Sequence, residues 1–266
     1  MPFFDGARGR VFYRNWLADE PAATIVFLHG FGEHSGLYER YAAALNARGI
    51  SLWALDQIGH GQSDGPRGHV DSMDDLVANA AQLVALASQD HRPITLQGHS
   101  LGAAAATVFA LREPALFDRL VISGAPLSGS DWMIEAFDAP ADATLDLDPA
   151  DLSSDPDYLH ALENDPLAFT EADVLGTLSR TLPTAWTEVA ERIASLTIPV
   201  LVVHGEEDPV APYAATLVAT EPLPDRHIAL FPGAKHDVLN ETMHAEVATA
   251  IADFVLDHQP HGATDA

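Results

Sequence analysis

The chain has 266 residues, enough for one large domain with a sizeable core and room for an insertion. It carries 39 Asp+Glu against 13 Lys+Arg, a formal net charge of −26, and Lys235 is its one lysine. That balance disfavours nucleic acid and anionic membrane surfaces as partners, and the lack of cysteine removes disulfides, thiolate metal sites and a cysteine nucleophile.

The first residues, Met1-Pro2-Phe3-Phe4-Asp5-Gly6, show neither the basic region nor the apolar stretch of a signal peptide. No run reaches the roughly 18 apolar residues that span a bilayer, so a soluble, cytoplasmic protein is expected. The excess of aspartate hints at a salt-rich habitat, but a GC-rich genome explains it as well and is preferred. Val11 to Leu17 alternates weakly and is read as an early antiparallel strand. Thr24-Ile25-Val26-Phe27-Leu28 is an apolar run of the kind a buried central strand shows, and it ends in His29-Gly30-Phe31-Gly32-Glu33-His34-Ser35. Tyr38 to Arg48 has helical spacing, and Ile50 to Leu55 reads as the next strand. A turn-rich loop, Gly59 to Pro66, precedes a helix that Ser72 caps with Asp75 three residues on.

Pro93-Ile94-Thr95-Leu96 then leads into Gly98-His99-Ser100-Leu101-Gly102 and an alanine-rich helix. Leu120 to Ser123 is a further strand, and the alternation of strand and helix predicts an α/β protein with a mostly parallel central sheet flanked by helices. From 126 to 197 the rhythm breaks into short helical patterns with no convincing strand. This stretch is read as an inserted helical cap over the C-terminal strand ends, between core segments 1–125 and 198–258. Pro199 to Val203 resumes the sheet, Tyr213 to Thr220 is a helix, and His227 to Phe231 is the last strand. Asn240 is placed as the cap of the final helix, and 259–266 as a disordered tail.

The chemistry centres on the G-x-S-x-G junction. A serine at a tight strand-to-helix turn is lifted clear of the sheet, and its neighbour's N–H lies at a helix N-terminus where negative charge is stabilised. A hydroxyl at neutral pH needs a general base, and the base needs an orienting carboxylate. After Ser100 the chain offers Asp208 just past a strong strand and His236 in the loop after the next one. Glu206 and Glu207 compete with Asp208, but the Gly205-x-x-Asp208-Pro209 turn favours the aspartate. Among thirteen histidines, His204, His227 and His244 are decoys for the base, and His204 at a strand end and His244 in a helix are read as surface or structural residues. A second oxyanion donor is expected on the backbone of Phe31, beside that of Leu101. Neither H-E-x-x-H spacing nor a dinucleotide fingerprint occurs, so no metal and no organic cofactor are expected.

These pieces resemble the monoacylglycerol lipase and lysophospholipase branch of the α/β-hydrolase superfamily. The matching motifs, in family order over nearly the whole chain, are His29-Gly30-Phe31-Gly32-Glu33-His34-Ser35-Gly36-x-Tyr38, Asp56-x-x-Gly59-His60-Gly61-Gln62-Ser63-Asp64-Gly65, Gly98-His99-Ser100-Leu101-Gly102, Asn164-Asp165-Pro166-Leu167, Gly205-x-x-Asp208 and Pro232-Gly233-x-x-His236. The resemblance implies Ser100 as nucleophile, Asp208 as acid, His236 as base, and Phe31 with Leu101 as oxyanion donors. It also implies an acyl tunnel and a glycerol pocket under the cap. Ala103 departs from the family pattern, where many members have a second glycine.

Substrate-binding candidates are Glu33 and His99 near the elbow, with Trp132, Ile134 and Phe137 in the insertion, and Leu145 and Leu147 beyond them. The insertion's apolar residues read either as a lid surface making transient contact with lipid or, more commonly for such groups, as packing onto the core. The expected activity is hydrolysis of a small lipid-like ester, foremost a monoacylglycerol. Lysophospholipase, general carboxylesterase and aminopeptidase of related fold are alternatives. A non-catalytic ligand-binding member, the remaining reading, is disfavoured because all three triad candidates are present.

Overall fold

The computed structural model describes residues 2–138, 148–169 and 172–257. Among these residues eight strands form one sheet: β1 (Phe3–Gly6), β2 (Gly9–Trp16), β3 (Ala23–Leu28), β4 (Ile50–Leu55), β5 (Ile94–His99), β6 (Arg119–Ser123), β7 (Val200–Gly205) and β8 (Arg226–Phe231). Their order across the sheet is β1-β2-β4-β3-β5-β6-β7-β8. The first two strands are antiparallel to their neighbours, and β4, β3 and β5 to β8 run parallel. The helices are α1 (Glu39–Asn46), α2 (Met73–Ala87), α3 (Leu101–Arg112), α4 (Asp131–Phe137), α5 (Pro149–Leu152), α6 (Pro156–Asn164), α7 (Val174–Arg192), α8 (Tyr213–Ala219) and α9 (His244–Leu256).

Strands β3, β5 and β7 are buried at every residue, because helices cover both faces of the sheet. Alternate residues serve alternate layers. Val26, Leu28, Leu96 and Ile122 pack with α2, α3 and α7, whereas Ile25, Phe27, Leu52 and Val203 pack with α1 and α9. All parallel strands therefore end on the same edge, and that edge carries the site.

Strand β1 has no signal in its own four residues, two of which are Asp5 and Gly6. Pairing creates it: Phe3 lies opposite Phe12 in the ladder, with their rings 5.3 Å apart. Asn240 does not cap the last helix, which begins at His244. Asn240 closes a one-turn 3₁₀ segment, Val238–Asn240, and its amide donates to Asp237 Oδ2 at 2.8 Å. The carboxylate of Glu241 gathers the N–H groups of this corner instead, those of Thr242, Ser154 and Lys235.

Between β6 and β7 the described residues form four helices and no strand. One is longer than the sequence suggested: α7 runs for 19 residues through Pro183. Its apolar residues Leu178, Leu182, Ala185 and Val189 lie in the same core cluster as α2 and α3, so packing holds a helix that the proline would weaken in isolation. Among the described residues no helix is long and apolar enough to cross a membrane. Leu145, Leu147 and the tail 259–266 lie outside the described residues.

Candidate active site

Ser100 stands between β5 and α3 with φ 51° and ψ −120°, a conformation that a residue with a side chain rarely adopts. Its surroundings hold it there. The Ser100 N–H donates to the Ser123 carbonyl at 2.9 Å, and its own carbonyl accepts from Ala103 and Ala104. The flanking glycines are required by contact: a Cβ on Gly98 would lie 2.2 Å from the Gly102 carbonyl oxygen, and one on Gly102 would lie 2.1 Å from that of Leu28.

His236 Nε2 is 2.9 Å from Ser100 Oγ, and His236 Nδ1 is 2.8 Å from Asp208 Oδ2. Facing a carboxylate, Nδ1 carries the proton, which leaves Nε2 to accept from the serine hydroxyl. Asp208 Oδ1 accepts the N–H groups of Val210 and Ala211 at 2.8 and 2.9 Å. Burial pushes the Asp208 carboxyl up, but the neighbouring His236 and His204 outweigh it and hold the group well below the usual carboxylate range. Burial likewise opposes the charged form of His236, and the Asp208 carboxylate overrides it, so the imidazole titrates above its ordinary value.

The loop after β3 is locked from both sides. Burial, working against a hydrogen bond to Gly30, lowers the His29 pKa to about 3, and the ring stays neutral. Its Nε2 accepts the Gln57 N–H at 2.8 Å, so Nδ1–H donates to the Gly30 carbonyl at 2.7 Å. No peptide in the described chain is cis, and a planar trans peptide sends the Phe31 N–H to the side opposite that carbonyl. Among the described residues no hydrogen bond is found for the N–H of Phe31 or of Leu101, which opens α3.

Glu33 holds the same loop through three donors. Its Oε2 accepts from Gly30 N–H at 2.7 Å and Tyr38 hydroxyl at 2.8 Å, and its Oε1 from Tyr158 hydroxyl at 2.9 Å. Burial, reinforced by Asp237, raises the Glu33 pKa well above the carboxylate range. Donor atoms of Glu33, His99 and Asp237 lie within 4.8 Å of one another. Both Glu33 oxygens already accept from protein donors, and burial lowers the His99 pKa to about 4, which leaves that ring neutral.

A cavity opens over Ser100. Gly30, Phe31, Glu33, His99 and His236 line its polar end, and Trp132, Met133, Leu152, Leu178, Leu182 and Val210 form most of the remaining wall. Of the candidates named from sequence, Ser100, His236, Phe31, Glu33, His99 and Trp132 meet there, and Asp208 stands behind His236. The Trp132 indole N–H donates to the Val210 carbonyl at 3.0 Å, pinning α4 to the turn after β7. Ile134 and Phe137 are not brought to the cavity. Ile134 is 50% exposed, and Phe137 stacks on Trp186 at 5.6 Å. Of this seven-residue helix, Trp132 and Met133 line the cavity, while Phe137 packs on the core beside it. Leu178 and Leu182, four residues apart, are wall residues that helical spacing alone marks as buried without naming what they face. His29 and Tyr158 also escaped the sequence, since their partners Gln57 and Glu33 are distant in the chain. His204, read as surface or structural, is fully buried beside Asp208.

The sequence model of the serine aminopeptidase, S33 family matches residues 19–243. The chain is 31% identical to a monoacylglycerol lipase of Mycolicibacterium smegmatis, with 96% of each chain covered. Among solved structures, a monoacylglycerol lipase of Paleococcus ferrophilus superposes with a TM-score of 0.79 at 25% identity, covering 92% of this chain and 98% of that one. A soluble variant of the monoglyceride lipase of Saccharomyces cerevisiae, in complex with a substrate analog, shares the fold at a TM-score of 0.83 and 18% identity, over 96% and 94% of the two chains. The chain belongs to the serine aminopeptidase, S33 family of the α/β-hydrolases.

Proposed function

We propose that the protein is a carboxylic ester hydrolase that cleaves monoacylglycerols to glycerol and fatty acid. The observation carrying this reading is the aligned set of Ser100, His236 and Asp208 at the floor of an apolar cavity. Ser100 Oγ attacks the ester carbonyl while His236 Nε2 takes its proton. The oxyanion is held by the N–H groups of Phe31 and Leu101. The imidazolium, stabilised by Asp208, then protonates the departing glycerol oxygen. Water activated by the same histidine releases the acid and restores Ser100.

The cavity's chemistry favours an uncharged substrate. Glu33 is the one carboxyl among its described lining residues, and its oxygens are occupied, so nothing among them suits the ammonium group of a peptide N-terminus. No Lys or Arg lines it among the described residues, and a lysophospholipid phosphate would lack a partner. The apolar wall suits an acyl chain, and the relatives named monoacylglycerol and monoglyceride lipases support that substrate. The reading takes 126–197 as a cap, whose described residues Trp132, Met133, Leu178 and Leu182 line the cavity, and includes a cytoplasmic location, checked by cell fractionation. The deciding assay sets purified protein against monoacylglycerols, lysophospholipids, short p-nitrophenyl esters and amino-acid amides, with Ser100→Ala as blank. Higher kcat/KM on amides than on monoacylglycerols would overturn the reading.

A further inference from the structure

Asp208 faces two imidazoles, and only one of them belongs to the proposed triad. His204 is fully buried, and its Nε2 lies 3.0 Å from Asp208 Oδ2 and 2.7 Å from the Ala211 carbonyl oxygen. Both partners accept, so Nε2 carries a proton and shares it between them. Nδ1 of the same ring is buried without a hydrogen-bond partner among the described residues. A buried imidazole with one nitrogen unsatisfied is a costly choice for mere packing.

The arrangement closes a small ring of contacts. Ala211 donates its N–H to Asp208 Oδ1 and receives His204 Nε2–H on its carbonyl. Oδ2 has two lone pairs: His204 occupies one, and the other is left for His236 Nδ1–H. Asp208 follows the turn after β7, where the N–H groups of Val210 and Ala211 hold its Oδ1 alone, whereas His204 is set in β7 opposite Leu230 of β8 and reaches Oδ2. We propose that His204 is a positioning residue for ester hydrolysis, fixing the plane of the Asp208 carboxylate so that one oxygen lone pair points at His236. The proposal rests on Ser100, His236 and Asp208 acting as the triad. The other titratable groups facing the set are His99, its ring centroid 4.9 Å from that of His236, and Asp237 beyond it.

The test compares His204→Phe, which keeps the ring volume and loses the donor, with His204→Gln, which keeps an N–H. On a short p-nitrophenyl ester, His204→Phe should lower kcat by roughly 10- to 100-fold, the size of one hydrogen bond to a charged group, with KM within about twofold. Removing that donor leaves the Asp208 charge bearing more fully on His236, so the acid limb of kcat/KM should move to higher pH. His204→Gln should recover most of kcat and return the limb. A folded His204→Phe protein with wild-type kcat and an unmoved limb overturns the proposal, as does an equal loss in both variants with no limb shift. Asp208→Ala separates the two readings. If it keeps wild-type turnover, triad and proposal fall together; if it is inactive while His204→Phe is normal, only the proposal falls. Should His204→Phe not fold, long-range ¹H–¹⁵N spectra of the wild-type histidines decide, since the proposal requires His204 Nε2 to be protonated and an unprotonated Nε2 overturns it.

Discussion

Tyr158 donates its hydroxyl to Glu33 Oε1 at 2.9 Å across 125 residues of sequence. One carboxyl thereby joins helix α6, between β6 and β7, to the loop that carries the Phe31 N–H, and the Tyr38 hydroxyl and Gly30 N–H meet on its other oxygen. Glu33→Ala would leave three buried donors unpaired, at roughly 1–3 kcal/mol each, and should lower Tm by on the order of 10 °C. Tyr158→Phe removes one bond, worth about 1 kcal/mol, and should lower Tm by about 2–4 °C. Thermal melts at neutral pH check both values. Equal stability of Glu33→Ala and wild type would mean the carboxyl does not hold this junction.

The proposed triad predicts a steep loss of turnover with folding intact. Ser100→Ala and His236→Ala should each cut kcat by on the order of 10⁴ or more. Asp208→Asn should be severe as well, because the amide cannot hold His236 in the Nδ1–H tautomer. Circular dichroism establishes folding and single-substrate kinetics measure the loss. Near-normal turnover in His236→Ala would remove that residue from the mechanism.

The pH profile follows from the same pair. The base works only when His236 is neutral, so activity must fall as pH drops through its pKa. The Asp208 carboxylate, outweighing burial, holds that pKa above the ordinary 6.5, and the acid limb of kcat/KM should have its midpoint above 6.5. In Asp208→Asn the largest raising influence is gone, that of Asp237 stays and burial persists, so whatever activity survives should show a limb at lower pH. A wild-type midpoint below 6.5 would show that Asp208 does not govern the base.

How much of this was legible in the chain depends on how local each cause is. Apolar runs such as Thr24 to Leu28 and Val200 to Val203 announce buried strands, and Gly98 and Gly102 announce the elbow because only glycine tolerates those contacts. The order of Ser100, Asp208 and His236 could be read because strand ends carry them all to one sheet edge. Strand β1, by contrast, exists through its pairing with Phe12. The neutral tautomer of His29 depends on Gln57, and the choice between Leu178 and Ile134 as wall residues depends on how α4 and α7 rotate against the core. None of those relations is periodic in sequence, so no pattern could supply them.

The charge excess gives a prediction about salt. The basic side chains already have partners of opposite sign in several places, as Arg112 does in Asp74 and Glu188 and Arg40 in Asp155. With 39 acidic against 13 basic residues, most carboxylates repel one another without compensation. Molar salt shortens the Debye length to roughly 3 Å and screens that repulsion more than it weakens the few short ion pairs. Tm should rise between dilute buffer and 1 M NaCl, and a flat or falling curve in a scanning-calorimetry series would count against repulsion as a term in stability.

Chain-length preference should be set by the cavity wall and by no other apolar group of the insertion. In the proposed mechanism Ser100, His236 and the two N–H donors act on the ester group and ignore the chain beyond it. Leu178 and Leu182 line the cavity from α7, Met133 lines it from α4, and Met133 is 2% exposed. Ile134, its neighbour in sequence, is half exposed and lines no part of the cavity, which makes it the matched control. Leu178→Ala and Leu182→Ala should lengthen the preferred acyl chain, and Leu182→Trp should shorten it, with activity on an acetyl ester nearly unchanged. Each methylene gained or lost is worth about 1–3 kcal/mol, so the long-to-short ratio of kcat/KM should move by roughly 10- to 200-fold per position. Ile134→Ala should leave the ratio within about twofold, since single surface substitutions alter energies by about 0.5 kcal/mol or less. A panel of acyl lengths measured on these four variants decides the matter. If Ile134→Ala shifts the ratio as much as Leu182→Ala, the chain runs along the outer face of α4 and the cavity is not its seat.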